Sequence, residues 1–193
     1  MTLKEKLRSY NIILASGSPR RKQFLTDLGL DFTVHPANIN ETFPVELQGK
    51  DIALYLAKQK ANVFNNLKEN DLIITCDTVV WLENTSLEKP FNEKEATEML
   101  RKLSGKTHQV ISAVCIRSVA KQELFYDITE VTFNNLSEQD IHYYITNFKP
   151  FDKAGAYGIQ EWIGLIGIEK INGSYTNVVG IPMEKLYKQL NLF

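Results

Sequence analysis

The sequence predicts an α/β fold: a mixed, elongated sheet with flanking helices, folded as two lobes around a cleft. Three observations predict it. Apolar β-rich runs alternate with helical periodicities in both halves of the chain. The run from Leu72 to Leu82 is long and rich in β-formers, as a central strand requires. Val110 to Arg117 and Leu124 to Phe133 alternate around polar Ser118 to Gln122, an antiparallel pair in the middle of the chain.

The elements follow in order. Asn11 to Ala15 is a short buried strand that runs into the small-residue turn Ser16-Gly17-Ser18. A helix carrying Phe24, Leu25 and Leu28 comes next, closed by Gly29, and Asp31 to Pro36 is a second extended piece. From Asp51 to Phe64, the residues Ile52, Leu56, Ala57, Ala61 and Phe64 fall at helical spacing. Beyond the central strand, Asn92 caps a helix with Glu95 as its reciprocal partner; Ala96, Met99, Leu100 and Leu103 form the stripe, and Gly105 stops it. Ser137 and Asp140 make another capping pair, opening a helix through Ile141, Tyr144 and Ile145. Ile163 to Ile171 reads as a strand and Asn172-Gly173 as a turn. Pro182 starts a last helix with Leu186 and Leu190. No repeat or linker divides residues 1–193, so a single domain of two joined lobes is expected.

Hydrophobic residues make up 44% of the chain and charged residues 23%, ordinary globular values. The formal net charge of −1 supplies no broad positive field for a nucleic-acid backbone, so any anion site must be local. Lys4, Lys6 and Arg8 are not followed by an apolar run long enough for a signal peptide, and no stretch approaches the roughly 20 apolar residues of a membrane span. Cys76 and Cys115 sit apart in strand-like runs, as buried thiols of a reducing, cytoplasmic compartment would. His35, His108 and His142 are scattered, which argues against zinc.

The strongest local feature is Leu14 to Arg21. A strand ends, Ser16-Gly17-Ser18 turns, and Pro19 stands where a first helical residue needs no N–H. Arg20 and Arg21 oppose the helix dipole in that first turn, which makes sense if a bound anion offsets them. The bland alternative is a capped surface helix whose arginines face water. Gly105-Lys106-Thr107 imitates the end of a Walker A loop but follows a helix and opens a strand, and Leu100 stands where that motif needs its first glycine. Neither Ser16 nor Ser18 has the glycine frame of a hydrolase elbow.

Asp77 lies in the middle of the apolar central run, where a lone carboxylate is costly unless a metal ion, an arginine or a substrate-bound water pairs with it. A carboxylate at the sheet's exposed end is the structural alternative. Glu41 becomes interesting as a second carboxylate for a magnesium-like ion. The small-residue string Asp152 to Gln160 allows backbone to approach a ligand, or forms a tight packing corner. Asn172-Gly173-Ser174-Tyr175 is mainly a turn that can line a pocket.

Taken together, these residues resemble the Maf family of nucleotide pyrophosphatases over Ile12 to Leu190. The landmarks are Leu-Ala-Ser-Gly-Ser-Pro-Arg-Arg at 14–21, Glu41, Lys60-Ala61, Asp77-Thr78-Val79-Val80, Lys89-Pro90, Leu103-Ser104-Gly105, His108, Asp152 to Gln160 and Val179-Gly180-Ile181-Pro182. The resemblance implies an inosine-triphosphatase-like fold with a deep cleft, often dimeric, and release of pyrophosphate from a nucleoside triphosphate with a divalent cation (Mg²⁺ or Mn²⁺). By position, Ser16, Arg20, Arg21, Lys60 and Lys89 are implied as phosphate or substrate contacts. Glu41 and Asp77 are implied as metal- and water-handling carboxylates, with Asp77 the general base, and Thr78, Gln160 and Arg21 as sorting positions. Lys89-Pro90 with the complete Asp152 to Gln160 string is similar to the branch acting on dTTP and UTP rather than 7-methyl-GTP. Position 161 is Glu where the family usually has Gly, and Cys76 replaces a common Ala. The competing class is a nucleotide-binding regulator of cell division that needs no hydrolysis.

Overall fold

The computed structural model describes residues 1–193, beginning with a capped turn of helix, α1 (Leu3–Lys6), and a short strand, β1 (Asn11–Leu14). Helix α2 (Pro19–Asp27) leads to β2 (Phe32–Val34), and α3 (Lys50–Asn62) to the long β3 (Asp71–Leu82), which turns back as β4 (Thr85–Leu87). Then come α4 (Glu93–Leu103), the paired strands β5 (Thr107–Arg117) and β6 (Gln122–Phe133), and α5 (Glu138–Phe148). The chain ends with α6 (Trp162–Gly167), β7 (Ile168–Asn172), α7 (Tyr175–Val179) and α8 (Met183–Leu190). No helix is long and apolar enough to cross a membrane.

The strands form one seven-stranded mixed sheet in the order β2-β1-β3-β5-β6-β7, with β4 also on β3. β1 pairs parallel with β2 and β3, because α2 and α3 return the chain to the same end; every other pairing is antiparallel. β5 and β6 match residue for residue from Thr107↔Thr132 to Arg117↔Gln122, the pair expected from their alternation.

The two-residue period of β3 decides where the cleft opens. On one face, Leu72, Ile74 and Cys76 join Leu14, Leu25, Leu186 and Leu190 in one core cluster. Further along the same face, Val80 and Leu82 join Leu100, Leu103, Ile141 and Tyr144 in another. Thr78 falls between them, a polar residue where the apolar series breaks, and the two clusters part there. On the opposite face, Val79 packs with Ile111, Ala113 and the α3 stripe Ile52, Ala53, Leu56, Ala57 and Ala61. Alanines at 53, 57 and 61 bring α3 close to the sheet. Lys60 rides on that same buried stripe, 7% exposed, and so points its ammonium at the sheet rather than at water.

Three expectations change. Ile163 to Ile171 is not one strand: α6 occupies its first part and β7 begins only at Ile168. Short apolar runs do not distinguish a buried strand from a buried helix; in the folded chain α6 passes so close to Ile159 that a Cβ at Gly164 would run into its carbonyl oxygen. The turn at Asn172-Gly173 leads into α7, capped by Ser174 accepting from the Asn177 N–H. The helix begun at Asp51 stops at Asn62, leaving Phe64 outside it. Gly105 does end α4, with φ +67°, before β5 starts at Thr107.

Candidate active site

The cleft between the two clusters has a volume of about 560 Å³ and is lined by Ser16, Arg20, Arg21, Glu41, Lys60, Asp77, Thr78, Lys89 and Gln160. All nine residues singled out in the sequence therefore reach one cavity. They arrive there from α2, α3, β3 and four connecting segments.

One wall is the start of α2. Ser18 is extended (φ −67°, ψ 119°), as the residue before proline should be, and its hydroxyl accepts from the Arg21 N–H at 3.5 Å. The first turn holds no acidic side chain. An anion at this end would meet the positive pole of the helix. Arg20, with its side chain 27% exposed, reaches across to Asp152 at 3.5 Å. Arg21 does something different. Its guanidinium donates to the carbonyls of Gly180 (2.8 Å) and Cys76 (2.9 Å), to Ser16 Oγ (3.2 Å) and to Thr78 Oγ1 (3.0 Å). Four of its five N–H donors are thus spent on protein acceptors, so Arg21 braces the floor of the cleft. The Thr78 hydroxyl is committed too, lying 2.8 Å from Ser112 Oγ.

The floor's chemistry centres on Asp77, 6% exposed in the middle of β3. The partner that its placement demands is a lysine. Lys60 Nζ lies 2.6 Å from Asp77 Oδ1 and 2.6 Å from Glu41 Oε1, while Lys89 Nζ lies 2.8 Å from Glu41 Oε2. Burial opposes the Lys60 charge and Arg21 adds to that, but the Asp77 and Glu41 carboxylates prevail and raise its pKa. Burial likewise favours the neutral Glu41 acid; hydrogen bonds and charge from Lys60 and Lys89 overcome it and hold the carboxyl at about 2. Asp77–Lys60–Glu41–Lys89 is therefore a chain of alternating charge across the cleft.

Asp77 Oδ2 has no hydrogen bond from the protein and is not sealed away from solvent. With Glu41 it forms a pair of hard oxygen donors, and no third His, Cys, Asp or Glu completes a cage. That donor set fits a magnesium-like ion, which takes one or two carboxylates and fills its remaining positions with water and phosphate oxygens. It does not fit zinc.

Lys153 is a further cleft residue, one to which sequence reasoning gave no role. It lines the cleft with its side chain 8% exposed, 2.7 Å from Asp152 Oδ1 and 3.1 Å from Glu161 Oε1. The available signal was a lysine inside the small-residue string at 152–160, where burial needs a carboxylate on either side.

The family model for Maf-like proteins matches residues 11–193. A Flavobacterium psychrophilum protein named dTTP/UTP pyrophosphatase is 55% identical over 189 residues, covering 97% of each chain. Its namesake from Flavobacterium johnsoniae is 51% identical over 189 residues, also covering 97% of each. Among solved structures, a HAM1 protein from Coxiella burnetii aligns with a TM-score of 0.52 at 14% identity, covering 95% of this chain and 100% of that one, a likeness of fold alone.

Proposed function

This chain belongs to the Maf-like family, and from that premise we propose that it hydrolyses dTTP and UTP to the monophosphate and pyrophosphate. The observation that carries the reading is Asp77: a carboxylate fixed mid-strand whose free oxygen opens onto the same cleft as the α2 N-terminus and five cationic side chains. The curated relatives' shared name supports the substrate class.

In the proposed reaction, water attacks the α-phosphorus in line and pyrophosphate leaves. Asp77 takes the proton at Oδ2, while Lys60 holds Oδ1. Ser16, the α2 N-terminus and Arg20 bind phosphate oxygens, with Arg21 bracing the floor beneath them. Lys60 and Lys89 turn from Glu41 to the triphosphate as charge builds on the leaving group. A divalent cation, Mg²⁺ or Mn²⁺, held by Glu41 and Asp77 would supply further neutralisation of the phosphate oxygens. Since Thr78 and Arg21 are committed to the floor, base sorting falls to Gln160. Its amide matches the N3–H donor and O4 acceptor of thymine and uracil, and cytosine would leave a group unpaired at about 1–3 kcal/mol. The proposal includes a homodimer, supported by the outer edge of β6, where Gln122 to Thr129 carry no neighbouring strand. Sedimentation tests that part.

The deciding assay incubates the protein with Mg²⁺ or Mn²⁺ and dTTP, UTP, CTP or 7-methyl-GTP, with the products separated chromatographically. Thymidine monophosphate plus pyrophosphate is expected from dTTP, and Asp77→Asn should abolish turnover while leaving the fold intact. Diphosphate plus phosphate would overturn the bond assignment. Tight nucleotide binding without turnover under either metal would favour a binding regulator.

A further inference from the structure

Gly158-Ile159-Gln160-Glu161 is a four-residue turn, closed by the Glu161 N–H donating to the Gly158 carbonyl at 2.9 Å. Gln160 takes its third position and is exposed at the cleft wall. One phenol holds both ends of the turn. The Tyr144 hydroxyl donates to Glu161 Oε2, and the Gly158 N–H donates to the Tyr144 oxygen at 3.0 Å. Tyr144 is fully buried on α5, and burial, followed by the Glu161 carboxylate, raises its pKa so that the phenol keeps its proton. The other carboxylate oxygen of Glu161 is taken by Lys153. Gly158 is the seat on which both side chains rest: a Cβ there would lie 2.9 Å from the Glu161 carboxyl carbon and 3.0 Å from Gln160 Nε2.

We propose that Glu161 is a positioning residue for base selection. With Tyr144 it staples the turn that presents Gln160, so the amide meets the base already oriented. This rests on the reading of Gln160 given above. Without the staple, the turn keeps its backbone bond but Gln160 must be ordered by the ligand, a cost met at binding and not at the chemical step. The affected quantity is therefore KM and the ratio between bases, while kcat, set at the Asp77 end of the cleft, stays.

The test measures kcat and KM for UTP and CTP in Glu161→Gly, Glu161→Gln, Tyr144→Phe and the Glu161→Gly/Tyr144→Phe double variant. The expected result is a fall of about three- to tenfold in the UTP-over-CTP ratio of kcat/KM in Glu161→Gly and Tyr144→Phe, with kcat for UTP within about twofold of the parent. The double variant should lose less than the sum of the two single changes, since both break the Tyr144–Glu161 bond. Glu161→Gln, which keeps an acceptor for the phenol, should restore most of the ratio. An unchanged ratio in Tyr144→Phe overturns the proposal, as does a Glu161→Gln variant as poor as Glu161→Gly, which would point to charge alone. Should the parent protein fail to hydrolyse UTP, the pyrophosphatase reading falls separately. Calorimetric binding of UMP against CMP to the parent and the four variants then decides the staple, with equal preference in all five overturning it.

Discussion

Lys60 serves two carboxylates from a buried position, which makes it the residue whose loss is most informative. Lys60→Met would leave the Asp77 side chain without its partner at the base of the cleft. Breaking a buried pair from one side costs about 3–5 kcal/mol, and water access at Asp77 Oδ2 places the expected loss near the lower end, about 3 kcal/mol. The double variant Lys60→Met/Asp77→Asn should recover most of that stability while remaining inactive. Urea titrations of the four proteins would read this, and a double variant as unstable as Lys60→Met would show that the lysine stem, not its charge, holds the site. The need for a partner was legible at Asp77 itself, because a carboxylate between β-branched and apolar neighbours must be paired. Which partner was not. Seventeen residues separate Lys60 from Asp77, and only the packing of α3 on β3 brings them together. The protein partners of Arg21 were hidden for a similar reason. Its position in a helix first turn suggested an anion contact, but the carbonyls of Cys76 and Gly180 that absorb its donors come from β3 and the end of α7.

At the scale of elements, α4 anchors the core cluster on one side of the cleft and depends on a narrow stripe. Ala96, Leu100 and Leu103 are fully buried, and Asn92 caps the helix by accepting from the Glu95 N–H at 3.0 Å. Leu100→Ala should therefore cost about 2–5 kcal/mol, read as a lowered urea midpoint with an unchanged slope. A slope that changes as well would mean that the denatured state, or the cooperativity of the two clusters, has altered. Gly164 makes a second element-scale case. Gly164→Ala would force α6 away from the Ile159 carbonyl, and because α6 follows directly on the Gln160 turn, affinity for substrate should fall together with stability. Circular dichroism melting, paired with KM for dTTP, checks both. The helices with periodic stripes and capping residues were legible in the sequence almost to their ends. The α6 helix was not, since six apolar and glycine residues carry no period long enough to separate 3.6 from 2.

At the scale of the whole molecule, five cationic side chains and the positive end of α2 meet at the cleft, so anionic ligand should stabilise the protein. At a hundred times its Kd, dTTP would add about 2.7 kcal/mol, seen as a rise in Tm, and Arg20→Ala should shrink that rise at a fixed nucleotide concentration. No rise with either dTTP or inorganic pyrophosphate would contradict the assignment of the cleft. Acid sensitivity has a separate source. His108 is 2% exposed, its Nε2 is 2.7 Å from the Tyr157 hydroxyl, its Nδ1 has no partner, and burial lowers its pKa from 6.5 to about 4. Below about pH 6.5 the unfolded chain binds a proton that the folded one refuses, so stability falls as pH drops from 6.5 towards 4, by about 3 kcal/mol over the window. Equilibrium unfolding in His108→Gln should be flatter across this range; an equal slope would remove His108 as the cause.

By itself the sequence determined the mixed α/β class, the central strand, the antiparallel pair and the helix N-terminus that faces the cleft. Each of these follows from local periodicity, capping and turn chemistry, which act within a few residues. It also marked the nine residues that meet in the cleft, through the resemblance their order carries. Only the tertiary structure decided their pairings: Lys60 with Asp77 and Glu41, Arg21 with the floor carbonyls, and Tyr144 with both ends of the Gln160 turn. Charge and hydrogen bonding act through space over a few ångströms, and the folding of the sheet, rather than distance along the chain, sets which groups come that close.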